Sequence, residues 1–242
     1  MNMDELKTLL MDCAAEMGIA LTDDAAARLL HYMDLLLEWN EKMNLTAITD
    51  PREVVLKHFA DSLTALSVLP AGKTLRVADV GTGAGFPGLP LAIAAPAWEV
   101  TLMDALQKRV KFLEAVTDAL GMEKVACLHL RAEDAGKSPA HREQYDAVVS
   151  RAVARLSVLA EYALPLVRVG GMFVALKGPA VGEEAEDART AIRRLGGEIT
   201  GVKDAAIPFT ELRHTLVLVK KIRQTPTAFP RSAAQMAKGP IK

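Results

Sequence analysis

From Leu75 onward the chain alternates short apolar runs with longer amphipathic stretches. The runs are LRVADV (75–80), WEVTLM (98–103), VACLHL (125–130), YDAVVS (145–150), MFVALK (172–177), EITGVK (198–203) and HTLVLVKK (214–221). Nearly continuous apolar strands with helix-length segments between them are what a parallel sheet covered on both faces requires, so this region predicts a doubly wound α/β domain. The last two runs are joined only by IPFTELR (207–213), too short for a helical crossover, which predicts an antiparallel final strand.

The first seventy residues have a different period. Ala26, Leu29, Leu30, Met33, Leu36 and Leu37 recur at spacings of three and four behind Thr22, a natural helix cap. A second helix is predicted from Pro51, which suits a first turn, to Leu69, with Pro70 and Gly72 ending the pattern. The expected organisation is a helical region over 1–70 packed on the core, an α/β domain over 71–223, and an extended basic tail over 224–242. That tail carries Pro226, Pro230 and Pro240 and has no periodicity. No repeat or low-complexity block interrupts the chain.

Half of the 242 residues are apolar, enough for one principal core. No apolar stretch reaches the roughly 18–20 residues of a membrane span, and Asp4 and Glu5 stand where a secretion signal would be basic, so a cytoplasmic, soluble chain without a membrane partner is expected. Cys13 and Cys127 lack the spacing of metal ligands, which predicts no metal and no disulfide. The net charge of −1 is unevenly spread: residues 1–50 hold ten acids against three bases, whereas residues 203–242 hold eight bases against Asp204 and Glu211. That asymmetry permits an anionic partner, with Arg213, Lys220, Lys221, Arg223 and Arg231 as candidate phosphate contacts. A monomer is expected.

The sharpest local signal is VADVGTGAGFPG (77–88), where the first strand passes into a helix. Gly81, Gly83 and Gly85 permit a tight turn with close backbone approach to a ligand at the strand's carboxyl end. Gly83, Gly85 and Gly88 also fit the dinucleotide pattern G-x-G-x-x-G, with Asp104 about twenty residues on. Asp79 and Pro87 favour a sulfonium cofactor instead. A carboxylate beside the loop opposes a pyrophosphate and suits a methionyl ammonium, directly or through water, and Pro87 removes an amide where a phosphate would want one.

Eight phrases in order complete the picture: NEKMNLTAI (40–48), KHFADSL (57–63), DVGTGAGFPG (79–88), DALQKRVKFL (104–113), RAED (131–134), SRAVA (150–154), LKG (176–178) and TPTAFPR (225–231). Together they resemble the signatures of the glucose-inhibited division protein B family of small-subunit ribosomal RNA guanine methyltransferases. The resemblance implies a Rossmann-like, seven-stranded class I S-adenosylmethionine methyltransferase fold with an N-terminal helical extension. It implies methyl transfer from S-adenosylmethionine to nitrogen 7 of one guanine in 16S ribosomal RNA near the decoding site, with that RNA or the small ribosomal subunit as partner. Lys57 stands where the family commonly has arginine, and Ala105 where it has serine.

Carried over residue by residue, the cofactor contacts fall on Gly81, Phe86, Asp104 with Ala105 and Leu106, Ala132 with Glu133, and Arg151. Asp79, Thr82 and Gly83 of the loop join them on its chemistry. His58, Arg131, Arg151, Lys177 and Arg213 are candidates for positioning the substrate, and no residue is assigned as a catalytic base. Nitrogen 7 of guanine offers an in-plane lone pair at neutral pH, so the reaction needs positioning rather than proton abstraction. Asn44 is expected to end a turn before Thr46, and Lys108 and Arg109 to lie on a solvated helix face near the cofactor pocket. A small-molecule or protein methyltransferase, a dinucleotide-dependent oxidoreductase and a non-enzymatic RNA-binding module are the competing readings.

Overall fold

In the computed structural model, which describes residues 1–70, 72–151, 154–179, 181–239 and 241, the chain opens with helices α1 (Met3–Glu16) and α2 (Asp23–Met43). Each begins on a side-chain cap: Asn2 Oδ1 accepts from the Glu5 amide and Thr22 Oγ1 from the Ala25 amide, satisfying donors that a first turn leaves unpaired. Along α2, Ala26, Leu29, Leu30, Met33 and Leu36 are buried, the face read from their spacing, while Leu37 is half-buried. Asn44, in left-handed conformation at φ 49°, ends the helix.

The helix predicted over 51–69 changes type along its length. It starts as α3 (Pro51–Val54), widens into a π-helical turn (Val55–Ala60), continues as α4 (Asp61–Leu63) and closes in a 3-10 turn (Thr64–Ser67). The π turn, a form that recurs at functional sites, carries Lys57 and His58.

The α/β region follows as β1 (Arg76–Val80), α5 (Gly88–Ala94), β2 (Glu99–Asp104), α6 (Gln107–Ala119), β3 (Val125–His129) and α7 (Ala132–Ala135). Then come β4 (Tyr145–Arg151), α8 (Leu156–Ala163), β5 (Val167–Lys177), α9 (Gly182–Arg194), β6 (Gly197–Ala206) and β7 (Arg213–Lys221). The strands form one seven-stranded sheet in the order β3-β2-β1-β4-β5-β7-β6. All neighbours pair in parallel except β7, which runs antiparallel to both β5 and β6, as the short 207–213 link requires.

Adjacent strand residues alternate between two cores. Val77, Leu102, Val149, Val174 and Leu216 face a cluster that includes Leu6, Leu29 and Phe112. Ala78, Met103, Val148, Phe173 and Val217 face a second cluster with Leu159 and Ile192. The sheet is thus covered on both sides, and the N-terminal helices share the first core. β6 extends beyond its apolar run because pairing with β7 continues where the side chains, such as Asp204 and Ala206, are exposed, whereas β5 starts early at Val167, paired with Tyr145 ahead of a register shift.

The described residues after Arg223 depart from the extended tail expected over 224–242. Arg142 donates to the carbonyls of Thr225 (2.7 Å) and Phe229 (2.8 Å), Thr225 and Pro230 are buried, and a capped helix, α10 (Ala233–Ala237), follows. Arg231 forms a bidentate ion pair with the completely buried Glu161, so the segment is a strap held by charge-assisted bonds that hydrophobic periodicity does not register. Lys221 is also fully buried, with its ammonium donating to Leu164 O and Thr225 Oγ1 and lying 3.2 Å from Glu143. Lys221 and Arg231 are therefore engaged within the fold and are not phosphate contacts. Of the positions named from the sequence, Ala152 and Val153 of SRAVA and Pro240 lie outside the described residues.

Candidate active site

The glycine loop is stitched to the neighbouring strand by the amides of Gly81 and Thr82, which donate to Met103 O at 2.9 and 3.1 Å. Gly85 takes φ 105°, and a Cβ there would lie 2.6 Å from both Leu89 Cδ1 and Tyr32 Oη, so neither the conformation nor the space admits a side chain. Beneath the loop Asp79 is completely buried. Its Oδ2 accepts from Thr82 Oγ1 (2.6 Å) and the Gly88 amide (2.7 Å), whereas Oδ1 has no partner. Burial pushes the Asp79 carboxyl up to about 6, against the pull of those two bonds.

Asp104 ends β2 at the same crevice. Its Oδ1 accepts from the Leu106 amide at 2.8 Å and its Oδ2 from the Gly83 amide at 3.0 Å. Arg109 also reaches Asp104 Oδ2 (3.3 Å) and lines the crevice while staying partly exposed, and Lys108 is exposed, as expected of a solvated helix face beside the pocket. The cavity, about 480 Å3, is lined by Gly81, Thr82, Gly83, Phe86, Asp104, Ala105, Leu106 and Arg109, with Thr46, His58 and Arg151 closing it.

A second cavity of about 680 Å3 lies beyond His58 and Arg151, which line both. Its other walls include Ile48, Lys57, Asp61, Lys177, Glu184, Leu212 and His214. Arg151 organises the partition. Its guanidinium donates to Asp61 Oδ2 (2.7 Å), Lys57 O (3.1 Å) and His58 Nδ1 (3.1 Å), and sits 4.9 Å over the Phe86 ring. The His58 ring stacks on Phe86 with centroids 4.3 Å apart. Burial and the Arg151 charge lower His58 to about 4, so its ring is neutral at physiological pH. His214 donates from Nδ1 to Asp61 Oδ1, and that bond raises the His214 pKa.

Lys177 lines the larger cavity, held by Ala154 O (2.9 Å) and Glu184 (2.8 Å). Other candidates lie apart from both cavities. Glu133 is buried in α7, Ala132 is half-buried beside it, and Arg131 is exposed as the α7 cap; Arg213 is exposed at the start of β7. Among the polar lining residues, Thr46, Lys57, Asp61, Glu184 and His214 had no role assigned from the sequence. Thr46 and Asp61 sit inside recognised phrases, whereas nothing in the sequence marks His214 or Glu184.

A glycine loop at a switch point of a seven-stranded sheet with one reversed strand defines the class I methyltransferase fold. Solved structures agree: a chain of the Haloferax volcanii complex between the Trm112 methyltransferase activator and a methyltransferase has a TM-score of 0.58 at 15% identity, covering 77% of this chain and 97% of that one. A Burkholderia thailandensis 1,6-didemethyltoxoflavin-N1-methyltransferase, solved with S-adenosylhomocysteine, has a TM-score of 0.53 at 14% identity, covering 80% of this chain and 90% of that one. The GidB family model, rRNA small subunit methyltransferase G, matches residues 25–213. The Alkaliphilus metalliredigens ribosomal RNA small subunit methyltransferase G is 48% identical over 98% of this chain and 100% of its own length. The chain belongs to the GidB family. Among the described residues no cluster of three or more His, Cys, Asp or Glu could hold a metal, and no helix is long and apolar enough to cross a membrane.

Proposed function

We propose that this protein transfers a methyl group from S-adenosylmethionine to nitrogen 7 of a guanine in 16S ribosomal RNA, with cofactor in the smaller cavity and the target base in the larger. The observation that carries the reading is the shared wall: His58 and Arg151 line both cavities, as a transfer between two ligands demands.

The residues of the smaller cavity fit the cofactor. Asp104 offers two carboxylate oxygens for ribose hydroxyls, and Ala105 and Leu106 offer short apolar contact for an adenine ring. Beneath the glycine loop, the unpartnered Oδ1 of Asp79 is an acceptor suited to an ammonium through water. A pyrophosphate is disfavoured because the Gly88 amide, at the start of α5, already donates to Asp79. When bound, S-adenosylmethionine supplies an electrophilic methyl on a sulfonium.

The partition itself argues for an acceptor that needs no deprotonation. His58 Nδ1 accepts from Arg151, which leaves the neutral ring no free lone pair, and the Asp61 carboxylate is tied to Arg151 and His214. Guanine nitrogen 7 carries its own lone pair; an exocyclic amine or a hydroxyl would want a base. Lys57, Lys177 and His214 supply donors around the larger cavity for the acceptor edge of guanine and its phosphates.

The test is transfer of labelled methyl from S-adenosylmethionine to small-subunit RNA, followed by nucleoside analysis. Label should appear in 7-methylguanosine. Label in another nucleoside, or in protein, would overturn the assignment.

A further inference from the structure

The segment after α2 folds back over the glycine loop and is held there by Asn40, whose Oδ1 accepts from the amides of Leu45 (2.6 Å) and Thr46 (2.8 Å). This places the Thr46 hydroxyl against His58, with Oγ1 2.8 Å from Nε2. The direction of that bond is settled on the far side of the ring. Arg151 Nη2 lies 3.1 Å from Nδ1, and a guanidinium can only donate. Nδ1 therefore carries the lone pair, and the proton of the neutral ring is on Nε2, donated to Thr46. The second lone pair of Thr46 Oγ1 receives the Ile48 amide at 3.0 Å.

With both lone pairs occupied, the hydroxyl has only its own proton left to offer. Among the described residues no acceptor meets it, and Thr46 lines the smaller cavity alongside the glycine loop, Phe86 and Asp104. The chain Asp61–Arg151–His58–Thr46 thus presets one hydrogen-bond donor toward whatever occupies that space. Two cations also line the cavity. Arg109 is bound to Asp104, at the end suited to ribose, while Arg151 stands behind His58, across the ring from Thr46. A hydroxyl left with only its proton to give, with a guanidinium behind it, favours an anionic acceptor.

We infer that Thr46 is a cofactor-binding residue that donates its hydroxyl proton to the carboxylate of the methionyl group, the one anionic group S-adenosylmethionine carries. The inference rests on the methyltransferase reading above and extends it to a residue and an atom. It also gives the Arg151–His58 pair a task at a distance: by fixing the tautomer, it keeps Thr46 a donor rather than an acceptor.

The experiment compares calorimetric binding of S-adenosylhomocysteine with that of 5′-methylthioadenosine, which keeps the nucleoside and thioether but lacks the amino acid portion. Thr46→Val should weaken S-adenosylhomocysteine on the order of tenfold, as expected for a lost bond to a charged acceptor, and leave methylthioadenosine unchanged. Thr46→Ser should restore the wild-type values. The unchanged methylthioadenosine affinity doubles as the control that the variant is folded. Unaltered S-adenosylhomocysteine affinity in Thr46→Val overturns the role of Thr46, and equal losses for both ligands overturn its assignment to the carboxylate. A wild-type protein that binds neither ligand overturns the methyltransferase reading, and this inference with it.

Discussion

Asp61 and Arg151, ninety residues apart in the chain, meet in an ion pair of 2.7 Å in which the carboxylate has no exposure to solvent. Its other oxygen accepts from His214, so one carboxylate anchors the partition from β4 and from β7 at once. Removing one member of a buried pair leaves the other uncompensated, and Asp61→Ala should lower unfolding stability by about 3–5 kcal/mol. Asp61→Asn, which keeps the shape, should return the raised His214 pKa toward its ordinary value, read by NMR titration. Stability within error of wild type in urea for Asp61→Ala would mean that the pair does not organise the site.

Asp79 runs the other way. Burial raises its pKa to about 6, above the value of 3.8 expected when unfolded. The folded state therefore holds more protons than the unfolded state between those values, and the cost of ionising Asp79 is absent below about pH 4 and fully present above about pH 6. Asp79→Asn should stabilise the ligand-free protein by on the order of 1–2 kcal/mol at pH 8, with the gain shrinking toward pH 4.5. The same variant should bind S-adenosylhomocysteine less tightly. Denaturation at the two pH values, with calorimetry at the higher, checks both; a gain that does not depend on pH would refute the role of ionisation.

His58 should be a neutral ring with its proton on Nε2 from neutral pH down to about pH 5, titrating near 4. Because its folded pKa lies below the unfolded value, its contribution to stability is present above about pH 6.5 and is lost as pH falls toward 4. Long-range proton–nitrogen correlation spectra distinguish the two tautomers. An Nδ1-protonated ring, or one that is charged at pH 6, would contradict the hydrogen-bond order drawn from Arg151.

The basic C-terminal region separates into two kinds of charge. Arg231→Ala should cost about 3–5 kcal/mol by stranding the buried Glu161, and should leave the salt dependence of RNA binding unchanged. Lys57 and Lys177 line the larger cavity, so replacing both with Ala should flatten that dependence. At ~0.7 for each phosphate contact on a single strand, the slope should fall by about 1.4. If the Arg231 variant flattens the slope and the double variant does not, the RNA surface lies along the strap.

The fold was legible because burial on both faces imposes a pattern on every strand, and because a link as short as 207–213 leaves β7 no choice but to reverse. The crevice was legible because glycines and aspartates at a strand end have few other uses. Asp61 and His214 were not, since a lone polar residue in a helix or at a strand start acquires meaning only from a partner many residues away. The strap escaped for a related reason: Arg142, Glu161 and Lys221 act through backbone carbonyls and long-range charge pairs, which leave no period in the sequence. The changes of pitch between Pro51 and Ser67 are likewise invisible, because the π and 3-10 stretches span only six and four residues, too few for a separate period to show.

Translation gives the strap a temporal meaning. Glu161 is synthesised seventy residues before the arginine that neutralises it. At ~5–20 residues per second the nascent domain carries that carboxylate without its cation for roughly 4–14 s. Arg142 waits longer still for the carbonyls of Thr225 and Pro226. The buried carboxylate is therefore neutralised only by residues made later, and a product cut short before Arg231 keeps an unpaired charge inside its helical layer.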